Sequence, residues 1–254
     1  MSAHRLSFAV EEGIARIALD NAAGRNAIDL AFVEAFADCA ERCADEAVKV
    51  VLISAQGPYF SVGGDLSDFV AHADDAERHI LAMARKFHVG VARLHELSVP
   101  VVLALGGMAA GGGFSLVCGA DFVIASRSAG LTSAYTRTGL TPDGGLTWFL
   151  ERIVGARKAF EIMALNPVMS ADEAFALGIV NRLVDRDALQ AESEAVARQI
   201  ANTPSDSLRA LKWLMTSGRA ATLESQLEHE AVSIARQAGR AATMENLRKF
   251  LARG

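Results

Sequence analysis

The sequence is poor in cysteine. It holds three cysteines in 254 residues, far fewer than the disulfide framework of a small secreted protein requires. Cys39 and Cys43 lie four residues apart in an alanine-rich stretch, and Cys118 lies far from both. We therefore interpret all three as buried thiols.

Basic charge and long apolar runs are also scarce. Lys and Arg total 25 against 30 Asp and Glu, which gives a formal net charge of −5. Proteins that bind a phosphate backbone usually carry the opposite sign of charge. No apolar run approaches the roughly 20 residues that a membrane-spanning helix needs, and no basic segment precedes an apolar one at the start. We therefore expect a cytoplasmic protein that binds neither nucleic acid nor a membrane.

The histidines do not follow the spacing of a metal site. His72 and His79, like His88 and His95, lie seven residues apart rather than three or four, and no cysteine lies near them. Ligands of structural zinc sites usually occur at shorter spacings. We expect no metal centre, and we interpret the charged residues 74–79 as a solvated helix start.

Strand and helix patterns alternate over the first 185 residues. Residues 6–19 alternate apolar and polar side chains around a Glu-Gly pair, which predicts a β-hairpin. Helical spacing follows Asp29, a candidate N-cap. Continuous apolar runs at 49–57, 99–107 and 121–125 predict buried strands. This alternation predicts an α/β architecture, with helices packed on a buried sheet.

The last part of the chain shows helical periodicity alone. From about Asp187 the pattern is interrupted at 203–204, at 217–218 and at Gly239, which predicts three or four helices. Such a region suits a subdomain or an oligomer interface. We divide the chain into a core at 1–190 and a helical region at 191–254.

Residues 106–113 (GGMAAGGG) hold five glycines in eight positions between an apolar strand and a helix. This density requires a close approach of the backbone. The spacing fits neither the dinucleotide fingerprint nor the phosphate-binding loop, and Val117 breaks the Gly-x-Ser-x-Gly pattern of lipases. What remains is a glycine turn at a helix N-terminus, where free N–H groups attract an anion.

A second glycine loop, residues 60–65 (FSVGGD), also follows a buried strand and precedes a helix, which Asp65 is placed to cap. If the two loops converge at one end of the sheet, two N–H groups could hold one developing oxyanion. The alternative is close helix packing at both places.

These segments resemble the crotonase superfamily, which comprises the enoyl-CoA hydratases and isomerases. The resemblance covers nearly the whole chain and is carried by RNAI (25–28), FSVGGDL (60–66), GGMAAGGGFSL (106–116), GLTPDGG (139–145), GARKAFEI (155–162), AFALGIVNRLV (174–184) and ENLRKFL (245–251). It implies a spiral of ββα units with a C-terminal helical trimerisation region. It also implies a homotrimer or homohexamer that binds an acyl-CoA thioester.

The resemblance also implies roles for individual residues. The backbone N–H groups of Gly64 and Gly112 would form the oxyanion hole. The CoA-lining positions of the family fall here on Arg25, Val62, Gly63, Asp65 and Leu66. For Arg25, a purely surface role is the alternative. Phe250 matches a residue that approaches a neighbouring subunit's CoA site. Coenzyme A enters as part of the substrate, and no separate cofactor is implied.

Two departures from the family bear on the reaction. Hydration in this family uses two glutamates, and this sequence has Ser115 and Tyr135 at those positions. An unperturbed tyrosine has a pKa near 10, which is too high for an easy general base at neutral pH. Tyr135 either directs its hydroxyl toward the substrate or fills the space of the missing glutamate.

One acidic candidate remains in the matching segments. Asp143, within residues 141–145 (TPDGG), resembles the catalytic aspartate of the phenylacetate-pathway and Δ3,Δ2-enoyl-CoA isomerases, a likeness that extends to Trp148. The alternative is an aspartate that only caps the helix starting near Gly144. Trp148 either walls the acyl chamber or packs in the core.

Three functions follow from this pattern. The first is an enoyl-CoA isomerase, because moving a double bond needs one base, Asp143, and an oxyanion hole. The second is an enoyl-CoA hydratase in which Tyr135, Ser115 or Asp143 orients the water. The third is a CoA-thioester-binding protein with little catalysis.

Overall fold

Two β-sheets and the helices that connect their strands form the fold. The computed structural model describes residues 5–252. The strands are β1 (Leu6–Glu11), β2 (Ile14–Leu19), β3 (Val50–Ala55), β4 (Tyr59–Ser61), β5 (Val101–Leu105), β6 (Met108–Ala110), β7 (Phe122–Ser126), β8 (Gly130–Thr132), β9 (Met169–Ser170) and β10 (Arg182–Val184). The helices are α1 (Leu30–Arg42), α2 (Leu66–Ala71), α3 (Ala76–Glu96), α4 (Gly112–Gly119), α5 (Leu146–Val154), α6 (Ala156–Leu165), α7 (Ala171–Ala176), α8 (Leu189–Ala201), α9 (Ser205–Ser217), α10 (Leu223–Ala238) and α11 (Ala241–Leu251).

Consecutive strands divide between the two sheets. The six-stranded sheet has the order β1-β2-β3-β5-β7-β10, and the four-stranded sheet has the order β4-β6-β8-β9. β1 and β2 form the predicted antiparallel hairpin, and the rest of the larger sheet is parallel. The pairs β3 and β4, β5 and β6, and β7 and β8 each give one strand to each sheet. This spiral of ββα units confirms the predicted fold class.

The central strands bury side chains on both faces of the larger sheet. Val51 and Ile53 of β3 join the main core together with α1, α3 and α4. Val50 and Leu52 point the other way, into a second core that α8 covers. Because successive strand residues alternate between faces, the continuous apolar run is what a doubly covered parallel sheet requires.

The helix boundaries follow the predicted signals. The Asp29 side chain accepts a hydrogen bond from the Phe32 N–H at 2.8 Å and caps α1. In the C-terminal region, the predicted breaks separate α8, α9, α10 and α11. The division of the chain at residue 190 stays a prediction. None of the described helices is long and apolar enough to cross a bilayer.

The three cysteines are buried and free, as expected. Burial raises the pKa of the Cys39 thiol to about 11 and that of the Cys43 thiol to about 12. Thiols with such high pKa values hold little of the reactive thiolate at neutral pH.

A buried lysine joins the C-terminal helices to the core. The Lys212 side chain, in α9, is 8% exposed, and its Nζ donates to Asp121 Oδ2 at 2.7 Å and to the Val99 carbonyl at 3.0 Å. The same Asp121 oxygen accepts the Val101 N–H at 2.8 Å. The ammonium group therefore connects α9 to the starts of β5 and β7.

We expect Lys212→Met to lower the free energy of unfolding by about 1 to 3 kcal/mol, because it leaves a partly buried carboxylate without its cation. The matched control is Lys158→Met, since Lys158 also contacts a carboxylate at 2.7 Å but is 42% exposed. Exposed pairs contribute about 0 to 1 kcal/mol. Urea unfolding at one protein concentration measures both changes, and equal losses would contradict the assigned role of burial.

Candidate active site

The two glycine loops meet at a cavity of about 530 Å³. Ile28 N–H donates to the Gly63 carbonyl at 2.8 Å and holds the first loop in place. Gly63 has φ +84°, and a Cβ at this residue would lie 2.9 Å from the Ala110 oxygen and 3.3 Å from Gly112 N. Only glycine permits this conformation and this approach. The two loops therefore converge, as two donors to one oxyanion require.

Two backbone donors line the cavity at this point. The N–H groups of Gly64 and Gly112 have no acceptor among residues 5–252. Gly112 is the first residue of α4, where the N–H groups lack partners within the helix. Gly64 is fixed by its bridge to Ile28. Unpaired donors on a rigid backbone suit the stabilisation of a developing oxyanion.

Tyr135 holds the Asp143 carboxylate. The Tyr135 hydroxyl donates to Asp143 Oδ1 at 2.6 Å and lies 3.3 Å from Ser115 Oγ. Burial, followed by the negative charge of Asp143, raises the pKa of Tyr135 above its ordinary value. The phenol therefore stays protonated at neutral pH and acts as a donor that orients the carboxylate.

Ser115 is buried behind this pair. Its hydroxyl donates to the backbone carbonyl of Asp143 at 2.8 Å, and the residue has no exposed surface. Ser115 therefore anchors the segment that carries the carboxylate.

His88 of α3 faces the other oxygen of Asp143. The Gly144 N–H donates to His88 Nε2 at 3.1 Å, so this nitrogen acts as a hydrogen-bond acceptor. His88 Nε2 lies 3.6 Å from Asp143 Oδ2. Sequence reasoning missed this histidine, because no motif links it to the segment that it contacts.

The capping alternative for Asp143 is wrong. Gly145 stands at the N-cap of α5, and no side chain of the described residues caps that helix. Only the backbone carbonyl of Asp143 takes part, accepting the Leu146 N–H at 3.1 Å. The carboxylate is thus available to the cavity.

Sequence comparison assigns the chain that carries this site to a protein family. The family model described as enoyl-CoA hydratase/isomerase matches residues 9–253. The chain belongs to the enoyl-CoA hydratase/isomerase family. Its membership in the crotonase superfamily, expected from the motifs, is confirmed.

Individual members of the family are similar over almost their full length. The 1,2-epoxyphenylacetyl-CoA isomerase of Escherichia coli (strain K12) is 32% identical over 247 residues, which span 96% of this chain and 94% of that protein. The 4-chlorobenzoyl coenzyme A dehalogenase-2 of Arthrobacter sp. is 28% identical over 98% of this chain and 91% of its own. A crystal structure of a putative enoyl-CoA hydratase/isomerase from Mycobacterium abscessus superposes with a TM-score of 0.94 at 30% identity, covering 98% of this chain and 96% of that one.

Seven of the ten residues expected at a family site line the cavity, namely Val62, Gly63, Gly64, Leu66, Gly112, Tyr135 and Asp143. Arg25 lies outside the wall, exposed, with its guanidinium 5.7 Å from the centre of the Tyr59 ring. Asp65 is the predicted cap of α2, accepting the Ser67 N–H at 2.9 Å.

Trp148 requires a correction. Its ring lies outside the cavity wall, half-exposed, in edge contact with His95 and Phe149 and with Arg152 4.0 Å from the ring centre. On α5, Phe149 points into the core while Trp148 points away from it. Trp148 therefore lies neither in the wall of the acyl chamber nor in the core, the two positions expected from the sequence.

Much of the cavity wall was not predicted. Helices α2 and α3 contribute apolar side chains, and two charged residues besides Asp143 stand among the lining groups, at Glu77 and Arg137. Arg137 Nη2 donates to the Asn166 carbonyl at 2.7 Å. These positions carry no family motif, and helical periodicity alone does not distinguish a cavity-facing side chain from a core side chain.

The raised pKa of Tyr135 predicts a pH effect on stability. A folded-state pKa above the unfolded value gives stability that is present below about pH 10 and is lost as pH rises through the folded-state pKa. We expect the free energy of unfolding to fall more steeply above about pH 10 in the parent than in Tyr135→Phe. Urea unfolding at a series of pH values above about pH 10 tests this expectation. The same dependence of unfolding free energy on pH in both proteins would contradict a buried, hydrogen-bonded phenol.

Proposed function

We propose that this protein is an enoyl-CoA isomerase. The observation that supports this most is a single arrangement: the Asp143 carboxylate, oriented by Tyr135, borders the cavity into which the unpaired N–H groups of Gly64 and Gly112 open. Moving a double bond requires one base and one oxyanion site. This site supplies both.

The proposed reaction uses these groups in sequence. The thioester oxygen accepts hydrogen bonds from Gly64 and Gly112, and Asp143 removes a proton from C2. The electrons of that C–H bond form the dienolate, with its charge on the thioester oxygen. Asp143 then returns the proton to C4, which leaves the double bond between C2 and C3. The substrate brings its own coenzyme A, and no further cofactor is needed in this scheme.

The geometry is less favourable for hydration. Adding water across a double bond requires groups that orient the water and accept its proton. Tyr135 stays protonated because its pKa is raised, and Ser115 donates to a backbone carbonyl. Neither replaces a glutamate base.

We also propose that the helical region at 191–254 assembles the chain into a homotrimer or homohexamer. In the monomer, α10 and α11 expose large apolar side chains such as Ile234 (72%) and Phe250 (77%). Such surfaces are common where subunits meet. The role expected for Phe250 near a neighbouring CoA site belongs to this proposal.

Asp143→Asn tests the isomerase proposal, because the amide cannot accept the C2 proton. With a 3-enoyl-CoA we expect migration of the double bond to fall about a thousandfold, while the affinity for the thioester stays within a few fold. The control Asp172→Asn removes an exposed carboxylate from α7 and should change neither. Product analysis with a 3-enoyl-CoA and a 2-enoyl-CoA measures migration and hydration together.

Two results would reject the proposal. Hydration without migration, unaffected by Asp143→Asn, would assign a hydratase. Tight thioester binding without turnover of either substrate would assign a binding protein.

A second candidate is hydrolytic loss of halide from an aromatic acyl-CoA. The pairing of Asp143 with the imidazole of His88 at 3.6 Å and the similarity to the Arthrobacter dehalogenase favour it. Asp143 would attack the ring carbon that bears the halogen, halide would leave with the bonding pair, and water would hydrolyse the aryl ester. However, the lone pair on His88 Nε2 is engaged by the Gly144 N–H, so the imidazole is not free to activate that water.

Chloride release from 4-chlorobenzoyl-CoA tests this candidate. We expect the parent protein to release no chloride above background. Release that disappears in Asp143→Asn and in His88→Gln would replace the isomerase proposal with a dehalogenase.

A further inference from the structure

A cluster of three metal-ligating side chains lies at the junction of α2 and α3, outside the groups used in the proposed reaction. Asp68 lies in α2, His72 lies just after it, and His79 lies in the first turns of α3. One ligating atom from each residue lies within 4.8 Å of the others.

Hydrogen bonds already bring these groups together. His79 Nε2 lies 2.6 Å from Asp68 Oδ2, and His72 Nδ1 lies 3.3 Å from Asp68 Oδ1. His72 Nδ1 also lies 2.9 Å from the Asp68 backbone oxygen. The two imidazole rings stack with centres 3.8 Å apart. One carboxylate thus gathers two imidazoles from different helices.

The donor set indicates the class of cation. Two imidazole nitrogens and one carboxylate are a common protein ligand set for Zn²⁺ and related transition metals, whereas Mg²⁺ prefers oxygen ligands. With bonds of about 2.0 to 2.2 Å in tetrahedral geometry, neighbouring ligand atoms around such an ion lie roughly 3.3 to 3.6 Å apart. The His72–Asp68 contact of 3.3 Å has this spacing, and the His79–Asp68 contact of 2.6 Å must lengthen to reach it. The stacked rings must turn apart, which the 45% exposure of the His72 side chain permits.

A further carboxylate adds negative charge nearby. Asp75, in the turn between the two histidines, has one buried oxygen, Oδ1, without a hydrogen-bond partner among the described residues. Its other oxygen, Oδ2, pairs with Arg78.

We propose that Asp68, His72 and His79 bind a divalent transition-metal ion, with Zn²⁺ as the expected occupant, and that the ion joins α2 to α3. The two helices also line the cavity, through Phe69 next to Asp68 and Ile80 next to His79. A bound ion fixes this wall. The proposal departs from the expectation drawn from histidine spacing, because the turn between α2 and α3 supplies a proximity that spacing does not reveal.

Calorimetric titration of metal-free protein without a histidine tag tests the binding. We expect one Zn²⁺ per chain and no comparable binding of Mg²⁺. His72→Gln and His79→Gln should each weaken Zn²⁺ binding about tenfold or more, because each removes one of three ligands. The matched control His229→Gln removes a histidine from α10 and should leave the affinity unchanged.

Hydrogen exchange tests the joining of the helices. We expect Zn²⁺ to slow exchange of amides over residues 66–82 in the parent and not in His79→Gln. Absence of Zn²⁺ binding, or equal binding in His79→Gln and the parent, would overturn the site. Binding without slower exchange in this segment would overturn the effect on the cavity wall. Neither measurement depends on the reaction, so failure here is distinct from failure of the isomerase proposal.

Discussion

The contact between the two glycine loops is the constraint on which the site depends. Gly63 approaches the second loop so closely that a Cβ at this position would lie 2.9 Å from the Ala110 oxygen and would separate the loops. Each loop follows a strand of the smaller sheet, since β4 leads into the first and β6 into the second, and these strands pair in parallel. The sheet thus fixes the separation of two N–H donors that lie about 50 residues apart in sequence.

Asp143 depends on that arrangement in turn. The α4 helix begins at Gly112, and its Ser115 holds the Asp143 backbone while Tyr135 holds the Asp143 side chain. The oxyanion donor and the candidate base are therefore linked through less than one turn of helix. Ser115 and Tyr135 stand at the two positions where the family resemblance predicts glutamates. They form a support for a different carboxylate.

The sequence was sufficient for the fold and for the parts of the site that lie in local motifs. Glycine density predicted the loop contact, and Asp29 and Asp65 predicted two helix caps, because these signals depend on neighbours in the chain. His88 and the position of Trp148 were beyond such reasoning. Both depend on how α3 and α5 pack, and the same helical periodicity serves a core residue, a cavity residue and a surface residue. The cluster of Asp68, His72 and His79 was not predicted, for the same reason.

The division of the spiral between two sheets has a consequence for how such a protein can change. The two N–H donors lie in loops that follow strands of the smaller sheet. The Asp143 backbone is held by Ser115 of α4, which follows the second of these loops. The wall formed by α2 and α3 instead lies in the long connection between β4 and β5. Mutations there can reshape the chamber without shifting the loop contact. The range of acyl groups can therefore diverge among descendants of one ancestor while the chemical step is inherited intact.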